Sequence, residues 1–423
     1  MEKLAQTKGI NAADRAGFNK KSVMWNMAGS FMVAGSSFLL LLFVTRTIGA
    51  LWGGVFSLAY TTAQILLTIG KFGIRSYQST DIEYKISSDT YFATRIGLSF
   101  IMIIIDIIYV FISRYDYNIA HIFMYVCAFK MADALEDVFH GEWQRRGRLD
   151  LAGQMLTLRN VITIVTFAVS MYMTYDLLIT CLITFLVSVA AVFIVNFRAS
   201  RGIVEVSFEF NVDELKILFE ECFPLFLGSF LSLLIYNIPK YAIDLYLSEE
   251  YVTIYTIIFM PTFVINLLSD VIFKPMLTMF AIWWNEGDAD KLKKLIIRFM
   301  AGVMGLCLSA TALAYFIGTM VLSFVYKVDV NAYKTELAIL MVAGGLAAIV
   351  YLLCNVLTVM RHQAEILYSY GITLVAVLIL SFGLTFFYGI RGTAIAYLAA
   401  EFFIFGIMHS YTFRAIKNRK NEL

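Results

Sequence analysis

Pro224-Leu-Phe-Leu-Gly-Ser-Phe-Leu-Ser-Leu-Leu-Ile-Tyr-Asn-Ile-Pro-Lys-Tyr-Ala-Ile-Asp-Leu-Tyr-Leu247 is an almost wholly apolar stretch. As one helix it is long enough to cross the roughly 30 Å hydrocarbon layer of a bilayer. Its strongly polar groups are Asn237, Lys240 and Asp244. At about 100° per residue these three fall within about 60° of one another, with Pro239 pointing away. Lys and Asp persist in hydrocarbon where they face a bundle interior or a water-filled cavity. The stretch therefore reads as a membrane span carrying one polar stripe beside a helix breaker. Lys240 and Asp244 are candidates for a gate. The same spacing also describes an ion pair that only shields two charges.

The rest of the chain repeats this pattern. It has 423 residues, 60% hydrophobic and 15% charged, against about 25% charged in soluble domains. Twelve spans are predicted, at Ser22–Thr45, Leu51–Gly70, Tyr91–Ile112, Ile119–Phe139, Leu151–Tyr175, Leu177–Phe197, Cys222–Leu247, Tyr251–Phe273, Leu295–Phe316, Glu336–Met360, Ala364–Tyr388 and Gly392–Phe413. The third and fourth are the weakest, because both contain ionisable residues. The fold class is all-α: a polytopic membrane protein with two six-helix bundles. The expected organisation is a first bundle over 1–197, a linker over 198–221 and a second bundle over 222–423. The polar first 21 residues lack the apolar core and cleavage site of a signal peptide.

Lysine and arginine bias sets the expected orientation. With both termini inside, inner segments hold 24 of these residues and outer segments five: Arg46, Arg114, Lys327, Lys334 and Arg391. Arg95, Lys130, Arg159 and Lys240 remain inside spans. All five tryptophans, Trp25, Trp52, Trp143, Trp283 and Trp284, fall at predicted membrane edges, where indoles prefer to sit. The expected location is the cytoplasmic membrane, multi-pass, with both termini cytoplasmic. Met276–Lys294 reads as an interfacial amphipathic helix, and Ser76–Thr90 occupies the equivalent place in the first half. The halves thus read as parallel repeats, an arrangement that places a substrate path between them. All four prolines, Pro224, Pro239, Pro261 and Pro275, lie in the seventh and eighth spans, as static bends or as a pair of bending helices.

Several function classes are excluded. A net charge of +2 gives no nucleic-acid footprint. No outer loop is long enough for a catalytic domain, and no GxxxxGK[ST] loop is present for ATP hydrolysis. Cys127, Cys181, Cys222, Cys307 and Cys354 lie in apolar runs without a CxxC spacing, and the four histidines are scattered. No metal site or cofactor is expected, and no enzyme activity.

What remains is transport. Lys130, Asp133, Asp137 and His140 fall within about 80° on the fourth span, with Glu136 nearby. They form either an internal salt-bridge ladder or the wall of a hydrated cavity whose carboxylates exchange a cation. Asp106, Asp133, Asp137 and Asp270 are candidates for coupling to H+ or Na+, and Glu401 is a further intramembrane carboxylate. Arg46, Arg75, Arg159, Asn237 and Lys240 are candidates for holding a diphosphate or glycan, because guanidinium groups grip phosphate bidentately. Arg46, Arg75 and Arg159 also read as interfacial anchors. Gly141–Asp150, with Arg145, Arg146 and Arg148, reads first as a topological signal and second as a headgroup-capture loop.

Thr45–Ala59, Phe72–Asp81, Gly141–Asp150, Asn237–Asp244 and Phe259–Asn266 resemble the Wzx-type polysaccharide flippases of the multidrug/oligosaccharidyl-lipid/polysaccharide exporter superfamily. The resemblance covers essentially the whole chain and implies a MATE-like exporter architecture. It implies movement of undecaprenyl-diphosphate-linked oligosaccharides, without ATP, for surface polysaccharide or lipopolysaccharide biosynthesis. The implied partners are that lipid-linked oligosaccharide, membrane lipids, an ion gradient and a polysaccharide polymerase. Lipid II flippases of the superfamily carry two further helices, which no apolar run here supplies. One alternative is a cation-coupled drug or metabolite exporter of the same fold. Another is a membrane polysaccharide polymerase or glycosyltransferase.

Overall fold

Apolar runs become helices wherever the chain is described. The computed structural model describes residues 12–81, 84–201, 211–273, 280, 283–284 and 286–422, and only the backbone of 12–21, 23, 267–268, 270–272 and 421–422. All regular secondary structure among the described residues is helical. Helices α1 (Ala12–Ile48) and α2 (Ala50–Lys71) are separated by Gly49. Its φ of 91° is a conformation that side chains disfavour, so the chain turns there. Next come α3 (Ile74–Gln78), α4 (Ser88–Ser113), α5 (Tyr117–Arg145) and α6 (Leu149–Thr174). Helix α7 (Leu177–Ala191) continues through a π turn as far as Ser200.

The second half holds α8 (Val212–Tyr246), α9 (Glu249–Phe259), α10 (Pro261–Phe273), α11 (Ala289–Leu313), α12 (Lys334–Val359) and α13 (Gln363–Glu422). Helix α11 runs on through Ala314–Gly318 to Tyr326. Polar residues at helix starts act as caps: Ser87 accepts from Thr90 N, Asp176 from Ile179 N and Asp288 from Lys291 N.

Helix α13 is two helices. Gly389, with φ 58° and ψ −142°, breaks it. Thr385 and Thr393 hydroxyls bond at 2.8 Å, and a Cβ on Gly392 would sit 1.9 Å from the Leu384 carbonyl oxygen. Residues eight apart in one straight helix lie about 12 Å apart, so the chain folds back on itself. The predicted eleventh and twelfth spans are the two arms.

Nine helices among the described residues are long and apolar enough to cross a membrane. Twelve spans emerge once α13 is counted as two arms and two further segments are added. The first is α5, which is charged but continuous over 29 residues. The second is the α9–α10 pair, interrupted at Met260. Pro261 opens α10, where a missing N–H costs nothing. Helix α8, by contrast, runs through Pro224 and Pro239 without a break in assignment, so neither acts as a helix terminator. Pro275 lies outside the described residues.

By contacts the chain divides into two units. One comprises the chain up to Phe43 together with Ala59–Phe226, and the other comprises Val44–Leu58 together with Leu227–Leu423. The boundary therefore falls inside α8, and the turn between α1 and α2 belongs with the second half of the sequence. The linker predicted over 198–221 is helical at both ends, and 202–210 lie outside the described residues. Of the interfacial helix predicted at Met276–Lys294, Phe280, Trp283, Trp284 and Glu286 are helical, the chain turns at Gly287, and Ala289–Lys294 form the start of α11; 276–279, 281–282 and 285 lie outside the described residues.

The first unit packs Tyr91, Phe92, Phe139, Trp143 and Cys222 into one core. In the second unit Ile235 and Ile238 of α8 meet Val377 and Ala400, one from each arm of α13.

Candidate functional site

Helix α5 supplies the centre of the first unit's charge. One face carries Lys130, Asp133, Glu136, Asp137 and His140, of which Lys130, Glu136, Asp137 and His140 are buried. The helix forms despite these charges because each finds a partner, and buried ions persist only when paired. The Arg159 guanidinium from α6 bonds Glu136 through Nε and lies 2.5 Å from Asp133 through Nη2. Lys130 bonds the same Asp133 and donates to the Tyr60 hydroxyl at 3.4 Å. His140 Nε2 lies 3.4 Å from Glu136. Asp137 takes Arg95 from α4 at 3.1 Å and Arg75 from α3 at 3.5 Å. Arg95 also donates to the Gly70 carbonyl at 2.9 Å.

The cluster thus sets four cations, Arg75, Arg95, Lys130 and Arg159, against three carboxylates. The Arg75 side chain is 28% exposed, whereas those of Arg95, Lys130 and Arg159 are 0%, 5% and 2% exposed. Arg75 also donates to Gln144 at 3.5 Å. Its two long bonds leave most of its hydrogen-bonding capacity unused.

A second network lies at the end of α5. Glu142 accepts from Gln78 at 3.2 Å, Ser88 at 3.1 Å, Arg145 at 2.9 Å and Arg146 at 2.8 Å. Asp81 receives Arg145 and Tyr91 and also caps the backbone of Lys85 and Ile86. These groups tie the loop after α3 to α5. Of the three arginines in the Gly141–Asp150 segment, Arg145 is committed to this network, Arg146 to Glu142 and Arg148 to Asp150 at 3.2 Å.

The other candidates fall elsewhere. Arg46, at the end of α1, belongs to the second unit and donates to the carbonyls of Val325 at 2.6 Å and Phe324 at 3.2 Å. Those are terminal carbonyls of a helix ending at Tyr326, which a cation caps favourably. Asn237 is buried and donates to the Leu233 carbonyl one turn back at 2.9 Å. Lys240 and Asp244 are half-buried on α8. Asp106 is buried on α4 beside the Cys127 thiol, and no nitrogen or oxygen donor among the described residues reaches its carboxylate. The side chain of Asp270 lies outside the described residues. Of the predicted site residues the structure brings together Arg75, Arg159, Asp133 and Asp137, with Lys130 and His140 of the same stripe, and no other whose side chain is described joins them.

Two groupings were not read from the sequence: the pairing of Arg95 and Glu136 into the α5 cluster, and the aromatic surroundings of Glu401. Arg95 was placed only inside a span, and Glu136 only beside the stripe on α5. In the second unit, Glu401 is buried one turn from Tyr397. The Tyr397 ring lies 6.0 Å from Tyr236 and 5.1 Å from Phe259, and Tyr255 lies 5.7 Å from Phe259. The hydroxyls of Tyr236, Tyr255 and Tyr397 are all buried. Aromatic residues on three different helices gave no spacing from which to read this group. No group of His, Cys, Asp and Glu among the described residues could hold a metal ion.

No family model and no curated protein matches the chain. Solved structures do. The lipid II flippase MurJ in an inward closed conformation matches at 12% identity and TM-score 0.73, over 94% of this chain and 90% of that one. An inward-facing multidrug resistance MATE family transporter of the MOP superfamily matches at 14% identity and TM-score 0.71, over 92% and 96%. The Vibrio cholerae MATE transporter VcmN in its bent form matches at 14% identity and TM-score 0.60, over 96% and 98%. At these identities the likeness is one of fold: a MATE-like, all-α, multi-pass membrane architecture.

Proposed function

We propose that the chain is a flippase for a lipid-linked, diphosphate-bearing oligosaccharide of surface polysaccharide biosynthesis. It would lie in the cytoplasmic membrane with both termini inside, supplying a polymerase on the far side and driven by an H+ or Na+ gradient. The observation that carries this reading is Arg75. It is the most exposed cation of a cluster whose cations outnumber its carboxylates, and a partly exposed, underused guanidinium suits phosphate. In this reading the buried members, Arg95 and Arg159 among them, hold the cluster in shape. Asp106 and Glu401 stand as coupling carboxylates, and Lys240 with Asp244 forms a gate on the outer half of α8. The fold shared with a lipid II flippase supports the same class of substrate.

Arg75→Gln is expected to reduce translocation of lipid-linked glycan about 10- to 100-fold at unchanged protein abundance, the range of one charge-assisted hydrogen bond. Arg75→Lys should fall between, since it keeps charge but loses the fork. Wild-type translocation in Arg75→Gln would remove the phosphate role.

The cation-coupled drug exporter remains as a second reading, favoured by Asp106, which has no basic partner among the described residues. Deletion separates the two. Accumulated lipid-linked glycan supports the flippase, and drug sensitivity without such accumulation supports the exporter.

A further inference from the structure

In the second unit an open groove of about 390 Å³ runs between α10 and α11. Ser269 and Phe273 of α10 and Leu295, Phe299, Gly302 and Leu306 of α11 line it, and the lining is almost entirely apolar. The volume lies in the usual range of roughly 300–1,000 Å³ for small-molecule sites. Gly302 makes the groove deep, because nothing lies within 4 Å of where its Cβ would be. From Leu295 to Leu306 the α11 wall rises about 16 Å, close to the roughly 15 Å of one bilayer leaflet.

One cation stands on the same wall. Arg298 lies one turn below Gly302 and two turns below Leu306, and it lines the groove. It makes no hydrogen bond or ion pair among the described residues. Its neighbours differ. Lys291 lies 2.5 Å from Asp288, whose carboxyl is held below the usual range by the Lys291 side chain and then by its backbone N–H. Lys420 is paired with Asp290 at 2.8 Å. Lys293 stands over the Phe413 ring at 6.0 Å. The guanidinium, unpaired among the described residues, therefore sits one turn from the Leu295 end of an apolar slot about one leaflet deep, on the side that the lysine and arginine bias assigns to the cytoplasm. Basic pockets between helices on that side suit anionic headgroups.

We infer that this groove is a binding site for one anionic phospholipid of the inner leaflet, its acyl chain between α10 and α11 and its phosphate on Arg298. The choice of leaflet rests on the orientation proposed above, but the site itself does not. A phospholipid is favoured over a polyprenyl carrier because the slot ends after one leaflet's depth.

The test uses the purified full chain in nanodiscs of equal phosphatidylglycerol and phosphatidylcholine, which present the same lipids on both sides. Native mass spectrometry then counts the lipids retained. Wild-type protein is expected to keep one phosphatidylglycerol, with about fivefold preference over phosphatidylcholine. Arg298→Gln should lose the preference and Arg298→Lys should keep it. Gly302→Leu, which fills the slot, should lose the retained lipid while eluting as a monodisperse protein. Equal retention in all four proteins would mean annular lipid only and would overturn the site. Displacement by a polyprenyl phosphate at lower concentration than phosphatidylglycerol would assign the slot to a carrier tail and overturn it as well.

Discussion

Gly54→Ala is expected to unseat the N-terminal end of α2 and raise thiol labelling at position 57 at least tenfold. A Cβ at Gly54 would lie 1.8 Å from the Glu249 carbonyl oxygen and 2.5 Å from its carbon. Both are backbone atoms at the start of α9, so no rotamer relieves the overlap. Overpacking of this kind costs about 1–3 kcal/mol or more, and 3 kcal/mol shifts a two-state population about 100-fold. The contacts that would part are specific. Ser57 and Thr256 hydroxyls bond at 2.7 Å, and Thr253 donates to the Ala50 carbonyl at 2.5 Å. Gly53 is less tightly placed, its Cβ position 2.8 Å from Thr45 Cγ2 and 2.9 Å from the Thr253 hydroxyl.

The readout is reaction of Ser57→Cys with a membrane-impermeant maleimide. Four of the five native cysteines are buried, so Cys354→Ser suffices as the background. Thr253→Val, which removes a hydrogen bond without adding bulk, should give a smaller rise. No rise in either variant, with folded protein at normal levels, would show that this seam is fixed packing and not a surface that opens.

That seam also shows what the sequence could and could not reveal. The apolar runs, the Gly49 turn and the break between Tyr388 and Gly392 are local signals, so the spans were legible. The helix faces were legible too: Lys130, Asp133, Asp137 and His140 share one stripe because periodicity alone places them there. Partner choice was not. Nothing in the spacing of α5 says that Arg159 straddles Asp133 and Glu136 while Arg95 and Arg75 share Asp137. Those pairings are tertiary, across 20 to 60 residues of chain. The same limit applies to Val44–Leu58, which lies in the first half of the sequence but joins the second unit, with a close backbone approach at Gly54 that leaves no hydrophobic pattern. Arg46 had a snorkelling signature, and its capping of the Phe324 and Val325 carbonyls depends on that same tertiary placement.

Arg159→Met is expected to cost most of the folded protein, and Arg159→Met/Glu136→Gln to recover a large part of it. Arg159 is buried and holds two carboxylates at once. Removing it leaves Asp133 with Lys130, but strands Glu136 with only His140. Breaking a buried pair from one side costs about 3–5 kcal/mol, because an uncompensated charge stays in a medium that cannot solvate it. Glu136→Gln restores the balance, leaving Lys130 and Asp133 as one neutral pair beside a neutral amide. Glu136→Gln alone should be milder, since Arg159 keeps Asp133. The measurement is the abundance and thermal midpoint of detergent-solubilised protein across the four corners of the cycle, and a coupling energy near zero would sink the pairing. The rescued double variant also separates scaffold from site. If it folds and translocates at the wild-type rate, Arg159 works by holding α5 against α6. If it folds but translocates poorly, the guanidinium itself meets the substrate, and the phosphate path extends inward from Arg75.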